Sequence, residues 1–295
     1  MNTALNVGRD TALNTEQGLY VRMKAVEAAR KVFKGRKLFG DAVTKIDSGA
    51  QTYGYDTLTH GSAAAFDYKY PGKSSVDAIN LARSTVAMPY LHKEFYIDRL
   101  DLLASQAGTG TPLNVSKAES AANRVADAED AMIINGWTQD GTTYEVKGLY
   151  QSANNSDATA LDWGVSANIQ TSLTNGIGLL LDDGIEGPWN LTVNPVQYGQ
   201  TKVNIANTAV TYRQWIIEQL EGGEIVVSRN MTAGTGLMTP AAPNKDQMEL
   251  VIAEDITTKS QIQDVEHGEG MFGRCYVRSI PIVYDANVAC KLTTI

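Results

Sequence analysis

The clearest helical pattern near the start of the chain lies in residues 16–37. Apolar side chains recur there at steps of three and four residues, which places them on one face of a helix. The members of this face are Leu19, Met23, Val26, Ala29 and Phe33. The residues before this segment are rich in Asn and Thr and show no periodicity, so we expect residues 1–14 to form an extended arm.

Alternating aromatic residues replace the helical spacing after residue 49. A step of two residues brings side chains to one face of a strand. The residues that follow this step are Tyr53, Tyr55, Phe66, Tyr68 and Tyr70. Glycine and proline residues punctuate the same stretch, so we predict an extended hairpin. Because a two-stranded ribbon is only marginally stable alone, we expect its aromatic face to need a partner surface.

A long helix is predicted from Ser116 to Gly136. Ser116 followed three residues later by Glu119 is the pattern of a reciprocal capping box, and Gly136 is a typical helix stop. The helix carries an adjacent acidic pair, Glu129 and Asp130, which we interpret as a solvated or salt-bridged face. The glycine- and asparagine-rich residues that follow indicate a boundary between two parts of the chain.

The second half of the chain mixes helical and strand patterns. Helical spacing covers residues 166–181 and 211–220, whereas alternation covers residues 189–193 and much of 247–290. Residues 230–245 contain glycines and prolines without periodicity, so we predict an exposed loop there. Helices and strands do not alternate regularly, and we therefore predict a mixed α+β fold rather than a parallel α/β sheet.

Composition narrows the class of protein. The chain has 295 residues, of which 43% are hydrophobic and 20% charged, as is usual for a folded protein. It contains no run of about 18 apolar residues, so we expect no membrane span. A net charge of −8 disfavours a protein that reads nucleic-acid sequence.

The charge is distributed unevenly along the chain. Residues 1–46 contain nine basic and four acidic residues. Several basic side chains lie largely off the apolar face of the first predicted helix, namely Arg22, Arg30, Lys34 and Lys37. Two interpretations remain open, a solvated basic face and a basic helix turned toward a polyanion.

The sequence contains no pattern typical of catalysis or metal binding. His60, His92 and His267 have neither the spacing of metal ligands nor that of a catalytic base, and no phosphate-binding glycine motif occurs. Cys275 and Cys290 lie in predicted strands and fit no zinc or redox spacing, so we interpret them as packing residues, with a disulfide between them as the open alternative. We therefore expect no catalytic, cofactor-binding or metal site, and a function in association.

Several local segments occur in an order that is found in a known architecture. They are residues 28–36, residues 95–101, residues 128–136 with Gly148 and Leu149, and residues 249–255. With these segments in this order, the chain resembles the shell-forming proteins that include the major capsid proteins of tailed viruses and the encapsulins. The resemblance implies an HK97-like capsid fold.

The resemblance also implies where the parts of that fold lie. The expected parts are an N-terminal arm at residues 1–18, a peripheral domain at 19–48 and 84–160 with its spine helix at 116–136, an E-loop hairpin at 49–83, an axial domain at 161–246 with a loop at 230–245, and closing strands, mainly peripheral, at 247–295.

The implied function is that of a major capsid protein that self-assembles into an icosahedral shell around viral double-stranded DNA. We expect it in the virion, assembled in the host cytoplasm. Its partners would be many copies of itself as hexamers and pentamers, packaged DNA held by non-specific contact, and separate scaffold, portal or cement proteins, with no membrane. We assign assembly contacts to the five hairpin aromatic residues, Gly234 and Gly236, and an interior-facing role to the four basic residues named above.

Two other functions remain open. In the first, the chain is an encapsulin-type shell protein that encloses a cargo enzyme. Encapsulins usually begin almost at once with a lumen-facing helix that docks cargo peptides, whereas a polar segment precedes the helix here, so the viral function ranks first. In the second, the chain is an enzyme that uses carboxylates such as Asp98, Asp101, Glu129 and Asp130.

Overall fold

The computed structural model describes residues 15–58, 81–98, 100, 104, 115–159, 161–261 and 270–295. The helices in these ranges are α1 (Thr15–Val32), α2 (Ser116–Asn135), α3 (Leu149–Ser152), α4 (Asn168–Asp182), α5 (Pro195–Gln200) and α6 (Tyr212–Gln219), with 3₁₀ helices at Gly35–Phe39 and Ala286–Val288. The strands are β1 (Val43–Lys45), β2 (Thr52–Leu58), β3 (Leu81–Ala87), β4 (Leu91–Asp98), β5 (Trp137–Thr138), β6 (Tyr144–Val146), β7 (Asn155–Asp157), β8 (Trp189–Val193), β9 (Ile225–Val227), β10 (Thr235–Pro240), β11 (Met248–Gln261), β12 (Gly270–Val283) and β13 (Cys290–Thr293).

These strands form a four-stranded sheet of order β1–β11–β12–β4, a five-stranded sheet of order β7–β13–β10–β8–β9, and the two-stranded ribbons β2–β3 and β5–β6. The combination confirms the predicted mixed α+β class. Among the described helices, none has both the length and the apolar character needed to cross a bilayer.

The long antiparallel pair β11–β12 is the centre of the four-stranded sheet. Val251 lies opposite Ile280 in its register, β1 runs parallel to β11, and β4 runs antiparallel to β12. Helices α1 and α2 pack against this sheet in a core that buries Phe95, Cys275 and Val277. This unit therefore joins residues from the start, the middle and the end of the chain.

The buried face of α1 differs from the face that its apolar pattern predicts. Val21, Ala25 and Ala29 are buried against α2, whereas Leu19 and Met23 are 58% and 62% exposed. The surface of α2 in this core is built mainly of alanines, and small side chains allow two helices to approach closely. The prediction is therefore wrong for Leu19 and Met23 and right for Ala29, while Val26 and Phe33 are partly buried against the same core.

The first helix ends at Val32, before the predicted end at residue 37. The carboxylate of Asp130 on α2 accepts hydrogen bonds from the backbone N–H groups of Lys34 and Gly35, each at 2.9 Å. These two N–H groups therefore do not form the hydrogen bonds that would continue α1, and the chain continues as the 3₁₀ helix Gly35–Phe39. Because Asp130 is distant in sequence, the spacing of residues 16–37 does not reveal this end.

Helix α2 has the predicted extent but not the predicted cap. Ser116 is its first residue and Val115 occupies the N-cap position. The backbone N–H of Glu119 donates to the carbonyl of Val115 at 3.0 Å, as in an ordinary first turn. The predicted capping box between Ser116 and Glu119 is therefore wrong, although the predicted start is correct.

Two glycines allow the chain to return to the end of α2. Gly136 has a φ of +76°, a conformation that other residues rarely adopt. A Cβ atom on Gly148 would overlap the backbone nitrogen of Gly136. The ribbon β5–β6 between these glycines is thereby held against the helix, and the predicted helix stop at Gly136 is confirmed.

Strand β10 corrects the loop prediction for residues 230–245. It pairs with both β8 and β13, and its residues Leu237 and Met238 are fully buried. A fully buried strand reads as a short apolar run without alternation, and the flanking glycines and prolines concealed it. A Cβ on Gly236 would lie 2.9 Å from Cδ1 of Ile295, so packing within the chain explains this glycine.

The five-stranded sheet extends beyond the expected axial range of residues 161–246. Strands β7 and β13 both belong to it and pair with each other in parallel. Gly234, which precedes β10, has a φ of +79° and its carbonyl accepts the backbone N–H of Ile295 at 2.9 Å. Both glycines that we assigned to assembly therefore have a role in the turn and packing of β10.

The ribbon β2–β3 is antiparallel and its first strand lies where the hairpin was predicted, but its second strand is Leu81–Ala87, which follows the predicted aromatic stretch. The two strands pair antiparallel along their described length. Asp56 and Arg83 form an ion pair across it, with 2.8 Å between Oδ1 and Nε. The predicted aromatic residues Phe66, Tyr68 and Tyr70 lie outside the described residues.

Candidate functional site

The ribbon β2–β3 joins the four-stranded sheet at a hydrogen-bond cluster that we call the ribbon root. Its members are Thr44, Tyr53, Tyr55, Glu249, Arg278 and Tyr284. The carboxylate of Glu249, on β11, is at the centre and its residue is only 5% exposed. A buried carboxylate needs hydrogen-bond donors to compensate for lost hydration.

Three hydroxyl groups donate to this carboxylate. The Tyr53 hydroxyl donates to Oε1 of Glu249 at 2.7 Å, and the Tyr284 hydroxyl donates to the same oxygen. The Thr44 hydroxyl donates to Oε2 at 2.6 Å. Burial and the adjacent carboxylate raise the pKa of both tyrosines, so both retain the protons that they donate.

Tyr55 and Arg278 complete the ribbon root. Tyr55 packs edge-on against Tyr284, with 5.6 Å between ring centroids. The guanidinium of Arg278, on β12, donates to the backbone carbonyls of Ser48 and Ala50 in the turn that precedes β2. Both described aromatic residues of the predicted assembly set therefore contact residues of their own chain.

The outward face of α1 presents apolar side chains to solvent. Leu19, Tyr20 and Met23 are 58%, 44% and 62% exposed, and Arg22 and Arg30 are exposed on the same helix. We call these five residues the α1 strip. A shallow groove on this face is lined by both apolar and basic members of the strip. Apolar groups gathered on an exposed helix face are typical of an interaction surface.

The four basic residues predicted to face an interior separate into two pairs. Arg22 and Arg30 lie on the exposed face of α1. Lys34 Nζ donates to the carbonyl of the last residue of β9 at 2.6 Å, and Lys37 Nζ lies 3.6 Å from the carboxylate of Glu224. Lys34 and Lys37 thus contact the five-stranded unit of their own chain, and the prediction of one continuous basic helix is wrong.

The acidic pair of α2 is buried and paired. Arg36 donates to Glu129 through Nε at 2.9 Å and through Nη2 at 3.0 Å, and the Ser279 hydroxyl also donates to Glu129. Arg36 reaches Asp255 as well, through Nη1 at 2.7 Å. Burial raises the pKa of Glu129 and raises that of Asp130 to about 6. The salt-bridged interpretation is confirmed for Glu129, whereas Asp130 binds backbone N–H groups, and the solvated interpretation is wrong for both.

The carboxylates of the enzyme alternative have separate local partners. Glu129 and Asp130 hold the segment after α1, while Asp98 accepts a hydrogen bond from the backbone N–H of Leu100 at 2.9 Å. Asp101 lies outside the described residues. In the part of the chain that the structure describes, no group of three or more His, Cys, Asp or Glu side chains is placed to hold a metal ion.

The other reactive residue types have ordinary surroundings. Cys275 and Cys290 are buried free thiols, and burial raises the pKa of both, that of Cys290 to about 11. His92 is exposed on β4, and its ring lies 5.2 Å from that of Tyr90. His60 and His267 lie outside the described residues. The cysteine placement agrees with a packing role.

The two-sheet body, the long helix α2 and the ribbon are the parts of the HK97 capsid fold, and three solved structures of similar fold support this assignment. A virus-like particle from Pyrococcus furiosus matches with a TM-score of 0.67 and 16% identity, over 94% of this chain and 100% of that one. A Mycobacterium phage Ogopogo structure matches at 0.62 and 12% identity, over 88% and 91%. The capsid of Myoviridae Phage XM1 matches at 0.58 and 12% identity, over 86% and 90%.

Sequence comparison gives the family. The Linocin_M18 family, described as "Encapsulating protein for peroxidase", matches residues 16–266, and the chain belongs to this family. The diheme-cytochrome-encapsulin shell fusion protein of Kuenenia stuttgartiensis is 27% identical over 218 residues, which are 74% of this chain and 58% of that protein. The chain therefore spans little more than half the length of this relative.

Proposed function

We propose that this shell-forming protein is the subunit of an encapsulin-type compartment that encloses a protein cargo. Many copies would close an icosahedral shell from pentamers and hexamers, and the subunit itself would have a structural rather than a catalytic role. The observation that carries this choice is the α1 strip, an exposed helix face on which apolar and basic side chains lie together.

The chemistry of the α1 strip fits a peptide segment of a cargo protein. Tyr20 and Met23 offer apolar contact area, and Arg22 and Arg30 offer positive charge beside it. A peptide with a few apolar anchors and acidic residues between them complements both features. The description of the matched family, which concerns encapsulation of a peroxidase, supports the same choice.

The second candidate is a viral capsid around double-stranded DNA, with scaffold, portal or cement proteins as further partners. The likeness to phage capsids favours it. In the sequence this function ranks first because a polar segment precedes the first helix, and residues 1–14 of that segment lie outside the described residues. A basic N-terminal segment facing the interior would also suit packaged DNA. Lys34, Arg36 and Lys37 are instead engaged within the chain, which leaves fewer cations directed toward a polyanion. We therefore rank the viral function second.

Particles purified from cells that produce the protein test this proposal. Negative-stain microscopy should show closed shells, mass spectrometry should find one dominant protein besides the subunit, and nuclease-protected DNA of genome length should be absent. Shells filled with long DNA would establish the viral function instead. A chain that remains a monomer would contradict both candidates.

The variant Met23→Glu tests the role of the α1 strip. It places a charge where an apolar anchor is expected, so co-purified cargo should fall by about tenfold or more while the shell diameter stays the same. Leu181→Glu is a matched control, because Leu181 is also an exposed apolar residue, 48% exposed, at the end of α4. Full cargo content in the Met23 variant would exclude docking on this strip.

A further inference from the structure

We propose that the ribbon root positions the β2–β3 ribbon for assembly. In this role it fixes the direction in which the ribbon projects from the four-stranded sheet, before the ribbon contacts a neighbouring copy of the chain. The proposal rests on the shell-forming function of the family and is independent of what the shell encloses.

The ribbon divides into an attached part and a projecting part at Tyr55. Tyr53, Tyr55 and Val86 are half-buried against an apolar cluster of the four-stranded unit. The next cross-strand pair, Asp56 and Arg83, is exposed, and its ion pair lies between the two strands alone. The direction of the described projecting part, residues 56–58 and 81–83, is therefore determined by the contacts of the attached part.

Polar contacts, rather than the apolar cluster, can set that direction. Apolar burial is non-directional, so it holds the ribbon against the body without selecting an angle. Hydrogen bonds require defined distances and angles, and those to a charged group are the stronger ones. The ribbon root supplies such bonds at two places, from Tyr53 to Glu249 beneath β2 and from Arg278 to the turn before β2.

The side chains that bind or surround Tyr53 of β2 in the ribbon root lie on the four-stranded sheet or directly after one of its strands. Glu249 lies on β11, and Tyr284 directly follows β12 and donates to the same carboxylate oxygen as Tyr53. The hydroxyl of Tyr53 in the ribbon and the hydroxyl of Tyr284 next to the sheet therefore donate to the same buried oxygen, Oε1 of Glu249. A change in ribbon angle would have to break a bond to a carboxylate that is otherwise sealed from water, and this is costly.

Such positioning matters for a shell because its contacts are repeated by symmetry. A heterologous contact closes only if each copy presents its surface at the same angle. A ribbon that is already oriented also loses less conformational freedom on association than a swinging one. We therefore expect the ribbon root to control the uniformity of shell diameter.

The double variant Tyr53→Phe, Tyr284→Phe tests this role in assembled particles. It removes two hydroxyl donors and keeps both rings. We expect a broader distribution of shell diameters in electron micrographs, and amide hydrogen exchange in β2 (Thr52–Leu58) that is faster by about tenfold or more. Exchange in β11 and β12 should change much less than exchange in β2, because backbone pairing holds both strands within the sheet.

Three further variants separate positioning from general stability. Arg83→Gln removes the exposed cross-strand ion pair but leaves the root intact, so its shells should match the wild type. Glu249→Gln keeps an amide oxygen that accepts the tyrosine hydroxyls, and it should retain most of the wild-type uniformity, whereas Glu249→Leu should not.

Two results would overturn the proposal. One is a double tyrosine variant with wild-type diameters and wild-type exchange in β2. The other is exchange that accelerates throughout the chain while the diameter distribution stays narrow, which would indicate a merely structural role. A wild-type chain that forms no shell would contradict the shell function itself, so the two failures are distinguishable.

Discussion

The basic segment near the start of the chain has two parts, α1 (Thr15–Val32) and residues 33–37 after it. Both parts carry several basic residues, but their surroundings differ. In the α1 part, Arg22 and Arg30 are exposed beside apolar residues. In the part that follows, Lys34, Arg36 and Lys37 contact other elements of the chain. The difference comes from the acidic pair on α2, because Glu129 and Asp130 form hydrogen bonds with residues 34–36.

This comparison shows that buried partners decide where a run of charge lies. Asp130 interrupts the helix by accepting two backbone N–H groups, and Glu129 then binds the guanidinium of Arg36 in a bidentate manner. Such an arrangement orients the segment in a way that a solvated charge run is not oriented. The contribution of these contacts to the free energy of unfolding can be measured with single variants.

Glu129→Ala should have the largest effect. It leaves the partly buried guanidinium of Arg36 without its bidentate partner, and removal of one member of a buried ion pair costs about 3 kcal/mol or more of unfolding free energy. Denaturant unfolding of dissociated subunits measures this loss. The double variant Glu129→Leu, Arg36→Met should recover most of it, because no unpaired charge remains. A loss below about 1 kcal/mol in the single variant would show that the pair is not strongly coupled.

The pH dependence of stability should reveal Asp130 with an intermediate effect. Its pKa is about 6 in the folded chain against an ordinary value of 3.8, so the folded chain binds this proton more tightly than the unfolded chain. The contribution of this group to stability therefore increases as the pH falls from 7 through 6, by about 1 to 2 kcal/mol.

Asp130→Asn isolates this contribution, since the amide keeps an acceptor oxygen for the backbone N–H groups but does not titrate. Unfolding curves at pH 7 and pH 5 should show that the wild type gains stability relative to the variant on acidification. Equal changes in the two proteins would contradict the raised pKa of Asp130.

Lys37→Gln should have the smallest effect. Its ion pair with Glu224 is exposed, with the side chains 60% and 54% accessible, and such pairs contribute about 0 to 1 kcal/mol. Thermal unfolding of the shells should be close to that of the wild type. A loss comparable to that of the Glu129 variant would mean that Lys37, rather than the acidic pair, holds the segment.

Local sequence signals were sufficient for elements that local interactions determine. The extent of α2 follows from its spacing and from Gly136, whose φ of +76° requires glycine. The alternation of Tyr53 and Tyr55 likewise predicted β2 and the shared face of these side chains. The order of such elements was enough for the resemblance to shell-forming proteins, and this fold is confirmed by the structural matches.

Contacts between distant residues could not be predicted in the same way. Nothing near Tyr53 indicates Glu249, Arg278 or Tyr284, because these partners come from a later pair of strands. Likewise, the spacing in α1 groups Leu19 and Met23 with Ala29, because periodicity does not reveal that the alanines of the distant helix α2 select small neighbours. Strand β10 was missed because a strand buried on both faces has no alternation to detect.

Helix α1 ends at Val32, and its inward residues pack against α2 while its outward residues are exposed. Because Asp130 and Glu129 hold the chain from Lys34 onward, the outward residues of α1 make no contribution to that attachment. Under the proposed cargo-docking function, exchanging the outward residues of α1 would change which cargo is bound and would leave the residues that join α1 to the four-stranded unit in place.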